Sequence, residues 1–249
     1  MIRNYYFKQG GFSLIEMAVV LIILGFILGA LLMPLQAQRQ QLFQSQTENT
    51  LETAKKALLG YAQSQGRLPC PATSNGTGVF PDDEGSANPN ASGICTQQIG
   101  FLPASTLGIQ SIDEQGFALD GWGNRIRYAV TQANSSAFTT TDSMNVLGLT
   151  ALVPDIRVCA TSTALNCTAT INLTNNAVAV IYSLGATGAQ ASGGGDEAEN
   201  LNAIANVDTV FVSHEARLND PVNGEFDHIV TWISPYVLYN AMIEAGQLH

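Results

Sequence analysis

GGFSLIEMAVVLIILGFILGALLMPL, residues 10–35, is the stretch on which the reading of this chain turns. From Met17 to Leu35 it carries no charge at all. As a helix rising about 1.5 Å per residue, that run spans about 28 Å, the thickness of a bilayer core. Arg3 and Lys8 precede it without any acid, which fixes the N-terminus in the cytoplasm and the C-terminal side outside. A cleaved secretory signal needs a shorter apolar run followed by a small-x-small site, and Pro34-Leu35-Gln36-Ala37-Gln38 supplies none. A plain uncleaved anchor leaves two features without a purpose. They are the Gly10-Gly11 pair abutting the helix start and Glu16, a carboxylate inside the membrane end of the run.

An ionisable group in a membrane segment costs several kcal/mol and is usually paired or functional. Glu16 has no basic partner within its own helix, since the nearest are Lys8 before it and Arg39 far beyond. A second molecule resolves this. If the chain is cut after Gly11, Phe12 gains a free α-amino group near the membrane surface. The Glu16 of a neighbouring copy then pairs with it, and the axial stagger this rewards is that of a helical filament.

Gly11-Phe12-Ser13-Leu14-Ile15-Glu16 followed by the apolar run resembles the class III signal of type IV pilins and type II secretion pseudopilins. The resemblance implies cleavage after Gly11 and N-methylation of Phe12 by a prepilin peptidase. It also implies that Glu16 assists docking onto a filament of other pilins or pseudopilins, built on an inner-membrane assembly platform. The chain is then a single-pass protein of the cytoplasmic membrane with a periplasmic head. Pro34 removes one helical hydrogen bond and induces a kink. A proline near this place also occurs in pilins, where the helix bends or melts during packing; otherwise it marks the exit from the bilayer.

Of the 249 residues, 46% are apolar, enough for a sizeable core. Only 12% are charged, about half the usual ~25% of a soluble domain. Without residues 1–11 the formal charge moves from −10 to −12. Scattered basic residues on an acidic body argue against nucleic acid as a partner. The four cysteines, Cys70, Cys95, Cys159 and Cys167, form no CxxC pair and adjoin no histidine, so zinc spacing is absent. An even count in an exported chain favours disulfides, of which Cys70–Cys95 and Cys159–Cys167 is the simplest of three connectivities; four buried thiols are the alternative.

Beyond the membrane the helix continues, with Leu51, Ala54, Leu58 and Tyr61 at three- and four-residue steps. Gly66 and Pro69 stop it. Residues 70–125 are loop-rich, with an acidic patch at Asp82-Asp83-Glu84 that reads as solvated loop. Strands are expected over Ile126–Thr131, Ile156–Ala160, Ala177–Leu184, Val207–Ser213 and Ile229–Ser234, and a helix opened by Ser234-Pro235 and closed by Gly246. The expected fold is α+β, a long spine helix packed on an antiparallel sheet of about four to six strands. The divisions are a leader over 1–11, a membrane helix over 12–35, its periplasmic continuation over 36–66 and one head over 67–249. This resembles the pilin lollipop.

Asp120-Gly-Trp-Gly-Asn124 with Tyr128 looks like an element of the major pseudopilin family. Tyr182-Ser-Leu-Gly-Ala186, Gly193-Gly-Gly-Asp-Glu197 and Ile229-Val-Thr-Trp232 are similar to that family's C-terminal region. Such a resemblance implies a calcium site held by Asp196, Glu197, Asp227 and the Leu184 carbonyl. Two departures stand against it: His228 where the pattern has an acid, and an insertion from Glu199 to Phe226. The alternative is a Gly-rich loop without an ion. No GxxxxGK[ST], HExxH or GxSxG occurs and the histidines lack zinc spacing, so no catalysis is expected. Two functions remain: a filament subunit, minor by its size, in a secretion pseudopilus or a type IV pilus; or a surface-displayed adhesin on the same anchor.

Overall fold

The computed structural model describes residues 11, 13–74, 85–89, 93–110, 112–161, 167, 171–188, 195–201, 208–220 and 224–249, with backbone alone for 30–37 and 218–220. The leader before Gly11, Phe12, the Asp82-Asp83-Glu84 patch, Gly193 and Gly194 lie outside the described residues, as does the side chain of Pro34.

Helix α1 runs from Leu14 to Gln65. The chain divides into two compact units, Met1–Leu42 and Phe43–His249, and α1 contributes to each. In the first unit the described side chains between Leu14 and Leu28 are exposed, among them Leu21, Ile22, Phe26 and Leu28. Among the described residues no helix is long and apolar enough to cross a membrane.

In the second unit, the three- and four-residue periodicity of α1 selects one buried face. Leu51, Ala54, Leu58 and Ala62 are buried, whereas Tyr61 is only partly so. The helix ends where Gly66 adopts φ +66° and returns its N–H to the Ala62 carbonyl, a left-handed cap that suits glycine. The buried face joins one apolar cluster with Tyr128, Val130, Ala179 and Ile181 from the sheet and Leu238 and Met242 from the C-terminal helix.

The strands are β1 (Ile99–Phe101), β2 (Arg127–Val130), β3 (Ile156–Cys159), β4 (Asn172–Ala177), β5 (Ala179–Ser183), β6 (Val210–Val212), β7 (Arg217–Asp220), β8 (Gly224–Phe226) and β9 (Ile229–Ile233). The remaining helices are α2 (Ala104–Leu107), α3 (Ala133–Ser136), α4 (Ser143–Leu147), α5 (Gly195–Leu201) and α6 (Pro235–Glu244). All five expected strands and α6 are present. The single expected sheet is not. An antiparallel sheet of order β1-β2-β5-β9 stands beside a separate sheet of order β4-β3-β6, in which β3 and β6 run parallel, and a β7–β8 hairpin.

The reason lies in β5, whose five residues are all buried. A strand with a solvent-facing side alternates between apolar and polar; a strand covered on both sides does not. Alternation here sorts apolar residues between two cores instead. Ala179 and Ile181 face the cluster that includes α1, while Val180 and Tyr182 enter a second cluster with Ile156, Val158 and Phe211 of the other sheet. The second sheet is therefore the lid on the far face of the first. Disulfides join Cys70 to Cys95 and Cys159 to Cys167.

Leu58→Ala deletes a fully buried side chain from the centre of the first core. It is expected to destabilise the second unit by roughly 2–5 kcal/mol. Trp122 and Trp232 both lie in that unit, so the shift is read from tryptophan fluorescence during denaturant unfolding in detergent.

Candidate functional sites at the helix mouth and the loop after β5

At the start of α1, Ser13 stands as the cap and Glu16 three residues on. The Ser13 backbone N–H donates to Glu16 Oε2 at 2.9 Å, and the Glu16 N–H donates to Ser13 Oγ at 3.3 Å. This reciprocal pair is a capping box, which satisfies two N–H groups that have no helical acceptor. The carboxylate is thereby folded back toward the N-terminal end of α1, where the positive end of the helix dipole also favours it. Gly11 precedes this turn in exposed coil. The Ser13-x-x-Glu16 spacing announces the cap; weighing Glu16 only as a buried charge missed it.

In the head, the Asp120–Asn124 turn and the Ser183–Gly185 segment meet. Asp120 Oδ1 accepts from the N–H groups of Trp122 and Asn124 at 2.9 and 2.8 Å, and its Oδ2 accepts from Ser183 Oγ at 2.6 Å. Asn124 Nδ2 donates to the Gly185 carbonyl at 2.7 Å. The same turn seats on the head portion of α1. The Gly121 N–H donates to Thr47 Oγ1 at 2.9 Å, Thr47 donates to the Phe43 carbonyl, and Trp122 meets Phe43 edge-on. A Cβ at Gly121 would run into the Phe43 backbone, which is why this position takes glycine.

The loop after β5 distributes the expected calcium ligands differently from the sequence expectation. Asp196, in the first turn of α5, faces Arg217 Nη2 at 3.0 Å and His214 Nε2 at 3.3 Å. Arg217 belongs to β7, so the inserted segment brings its own cation to this acid. Asp227 accepts from the Thr187 N–H at 2.8 Å and from Thr187 Oγ1 at 3.0 Å. The Leu184 carbonyl accepts from the Gly188 N–H. Gly185, at φ +64°, lets the chain pass against Asp227, where a Cβ would collide with that side chain.

Glu197, Asp227 and His228 come together instead. Their donor atoms all lie within 4.8 Å of one another. Glu197 Oε1 accepts from the Asp227 N–H at 3.2 Å, while its Oε2 is buried with no hydrogen-bond partner among the described residues. His228 is buried with Nδ1 facing Asn200 Nδ2 at 3.3 Å, and its Nε2 has no partner among the described residues. Asn200 is fixed by Val212, donating to its carbonyl and accepting from its N–H, so its amide offers His228 a donor. Burial pushes the Glu197 carboxyl up, with the nearby Asp227 charge adding to it. Burial pulls the His228 imidazole down to about 4. The sequence marked His228 only as a missing acid; its partnership with Glu197 depends on α5 folding back onto the β8–β9 corner.

Residues 6–32 match the prokaryotic N-terminal methylation motif. No curated protein and no solved structure matches the chain.

A histidine whose folded value lies near 4, against an ordinary 6.5, stays neutral when the unfolded chain takes up a proton. Its contribution is whole above pH 6.5 and is lost as pH falls toward about 4, by up to about 3 kcal/mol. Glu197, raised from its ordinary value, acts in the opposite sense. His228→Gln is therefore expected to flatten the acid side of the stability curve relative to the parent protein, measured by denaturant unfolding with chelator present.

Proposed function

We propose that this chain is a subunit of the type IV pilin or pseudopilin kind, made as a prepilin and assembled into a filament through its N-terminal helix. The observation that carries the reading is the methylation motif over residues 6–32, with Glu16 held at the mouth of a helix whose described apolar side chains from Leu14 to Leu28 are exposed. Leaving a Leu, Ile or Phe in water forfeits roughly 1.5–3 kcal/mol each. The run from Met17 to Leu35 is therefore a membrane span before assembly and a contact surface between helices afterwards.

In this reading a prepilin peptidase cuts after Gly11 and methylates the new amine of Phe12. The Glu16 carboxylate of an incoming subunit then meets the Phe12 amine of one already in place. The capping box prepares that meeting, since it turns the carboxylate toward the helix end, where such an amine lies. Cytoplasmic Arg3 and Lys8 orient the span, and the disulfides suit a head on the oxidising, periplasmic side. The Asp120–Ser183 bond ties together the two segments that resemble the pseudopilin head, which favours a secretion pseudopilus over a pilus. A head extending from Phe43 to His249 is bulky for close stacking and favours a minor subunit.

Two substitutions separate the charge of Glu16 from its capping role. Glu16→Val removes both, while Glu16→Gln keeps an acceptor for the Ser13 N–H and loses only the charge. Both variants are expected to remain in the membrane and to disappear from sheared filaments in cells expressing the assembly machinery. Filament incorporation of Glu16→Gln at the parent level would contradict the pairing and leave Glu16 as a helix cap. Filament-independent surface display with binding to cells or glycans would favour an adhesin.

A further inference from the structure

The loop after β5 does not assemble an oxygen cage for calcium, which wants about six to eight oxygens. Asp196 is turned to Arg217 and His214, and an imidazole stands beside the remaining acids, Glu197 and Asp227. The geometry points instead to Glu197, Asp227 and His228 as a site for a divalent ion of the zinc class.

Three observations carry this. First, the three donor atoms lie within 4.8 Å of one another and come from two elements far apart in sequence, α5 and the β8–β9 corner. Second, Glu197 is 1% exposed and His228 4% exposed, yet Glu197 Oε2 and His228 Nε2 have no hydrogen-bond partner among the described residues. A buried polar atom without a partner costs about 1–3 kcal/mol and is rare in a native structure unless something fills the gap. Third, the donor chemistry is mixed, with two carboxylates and one imidazole. Zinc is held by three such protein ligands with a fourth position left to water, whereas calcium is served poorly by nitrogen.

The site carries one visible cost. Asn200, fixed by its two bonds to Val212, presents an N–H to His228 Nδ1, so without an ion the ring proton sits on Nε2. Ligation through Nε2 moves that proton to Nδ1 and gives up the contact with Asn200. At 3.3 Å this is the longest of the three hydrogen bonds Asn200 makes here. The Asp227 oxygens keep their bonds to Thr187 while each retains a lone pair for an ion. Once bound, the ion ties α5 to the β8–β9 corner and anchors the inserted segment to the four-stranded sheet. This holds whether or not the chain assembles into a filament.

The test uses the full chain in detergent, stripped with chelator and titrated calorimetrically with zinc chloride and, separately, calcium chloride. One equivalent of zinc is expected to bind and to raise the unfolding midpoint followed by tryptophan fluorescence, with calcium doing neither at the same concentration. Glu197→Gln and His228→Gln, which preserve side-chain size closely, are each expected to weaken zinc by roughly tenfold or more. His249→Gln, away from the site, leaves it unchanged. Cobalt added to the parent protein is expected to give the visible absorption of a low-coordinate site with a nitrogen ligand, a readout that does not depend on any variant folding. Failure of the parent protein to bind zinc overturns the proposal. So does calcium binding in preference to zinc, or zinc binding that survives both substitutions.

Discussion

A carboxylate at the mouth of the apolar run that opens α1 is the constraint from which the rest follows. Apolar side chains along Leu14–Leu28 gain by leaving water, and a bilayer satisfies them without further design. Glu16 does not share that interest, because carrying a charge into hydrocarbon costs several kcal/mol. The capping box reconciles the two demands within a single chain: Ser13 and Glu16 satisfy each other's backbone N–H groups and keep the charge at the helix end. Among the described residues no cation pairs with Glu16. In the proposed assembly the counter-charge is the new N-terminal amine of a second copy, so that one residue would cap its own helix and set the stagger between copies.

The head obeys a different constraint, that of a central sheet covered on both faces. The fully buried β5 is its axis, with α1 and α6 contributing to the core on one side and the β4-β3-β6 sheet to the core on the other. Around this axis the Asp120–Asn124 turn acts as a clamp. It binds Ser183 and Gly185 at the end of β5 and Phe43 and Thr47 on α1, so sheet and helix are held in one register by a single acidic side chain and its neighbouring glycine. Burying Asp120 is tolerable because its carboxylate has several donors, two of them backbone N–H groups.

Much of this was legible in the sequence, for physical reasons that differ between segments. The α1 face from Leu51 to Leu58 and the β-branched runs in β2, β5 and β9 declare themselves because periodicity and local propensity agree with burial. Gly66 and Ser234-Pro235 mark helix boundaries by backbone geometry alone. Sheet partnership was not legible. The β3–β6 pairing is parallel and non-local, and nothing in IRVC or VFV states which strand it will meet. Strand β4, NLTNNA, is polar and has little strand propensity; it forms because it edges β3. In the loop after β5 the residues were noticed but their grouping was not, since Arg217 and His214 reach Asp196 only once the insertion has folded into β6 and the β7–β8 hairpin.

The claim that most else depends on concerns one covalent event, the conversion of residue 12 from an interior phenylalanine into a terminal amine able to meet Glu16 of another copy. Intact mass and N-terminal sequencing of the protein from native membranes test it directly. The account predicts a chain that begins at Phe12, lighter by residues 1–11 and heavier by one methyl group on its amine. A chain that still begins at Met1, or that starts anywhere other than Phe12, would contradict it.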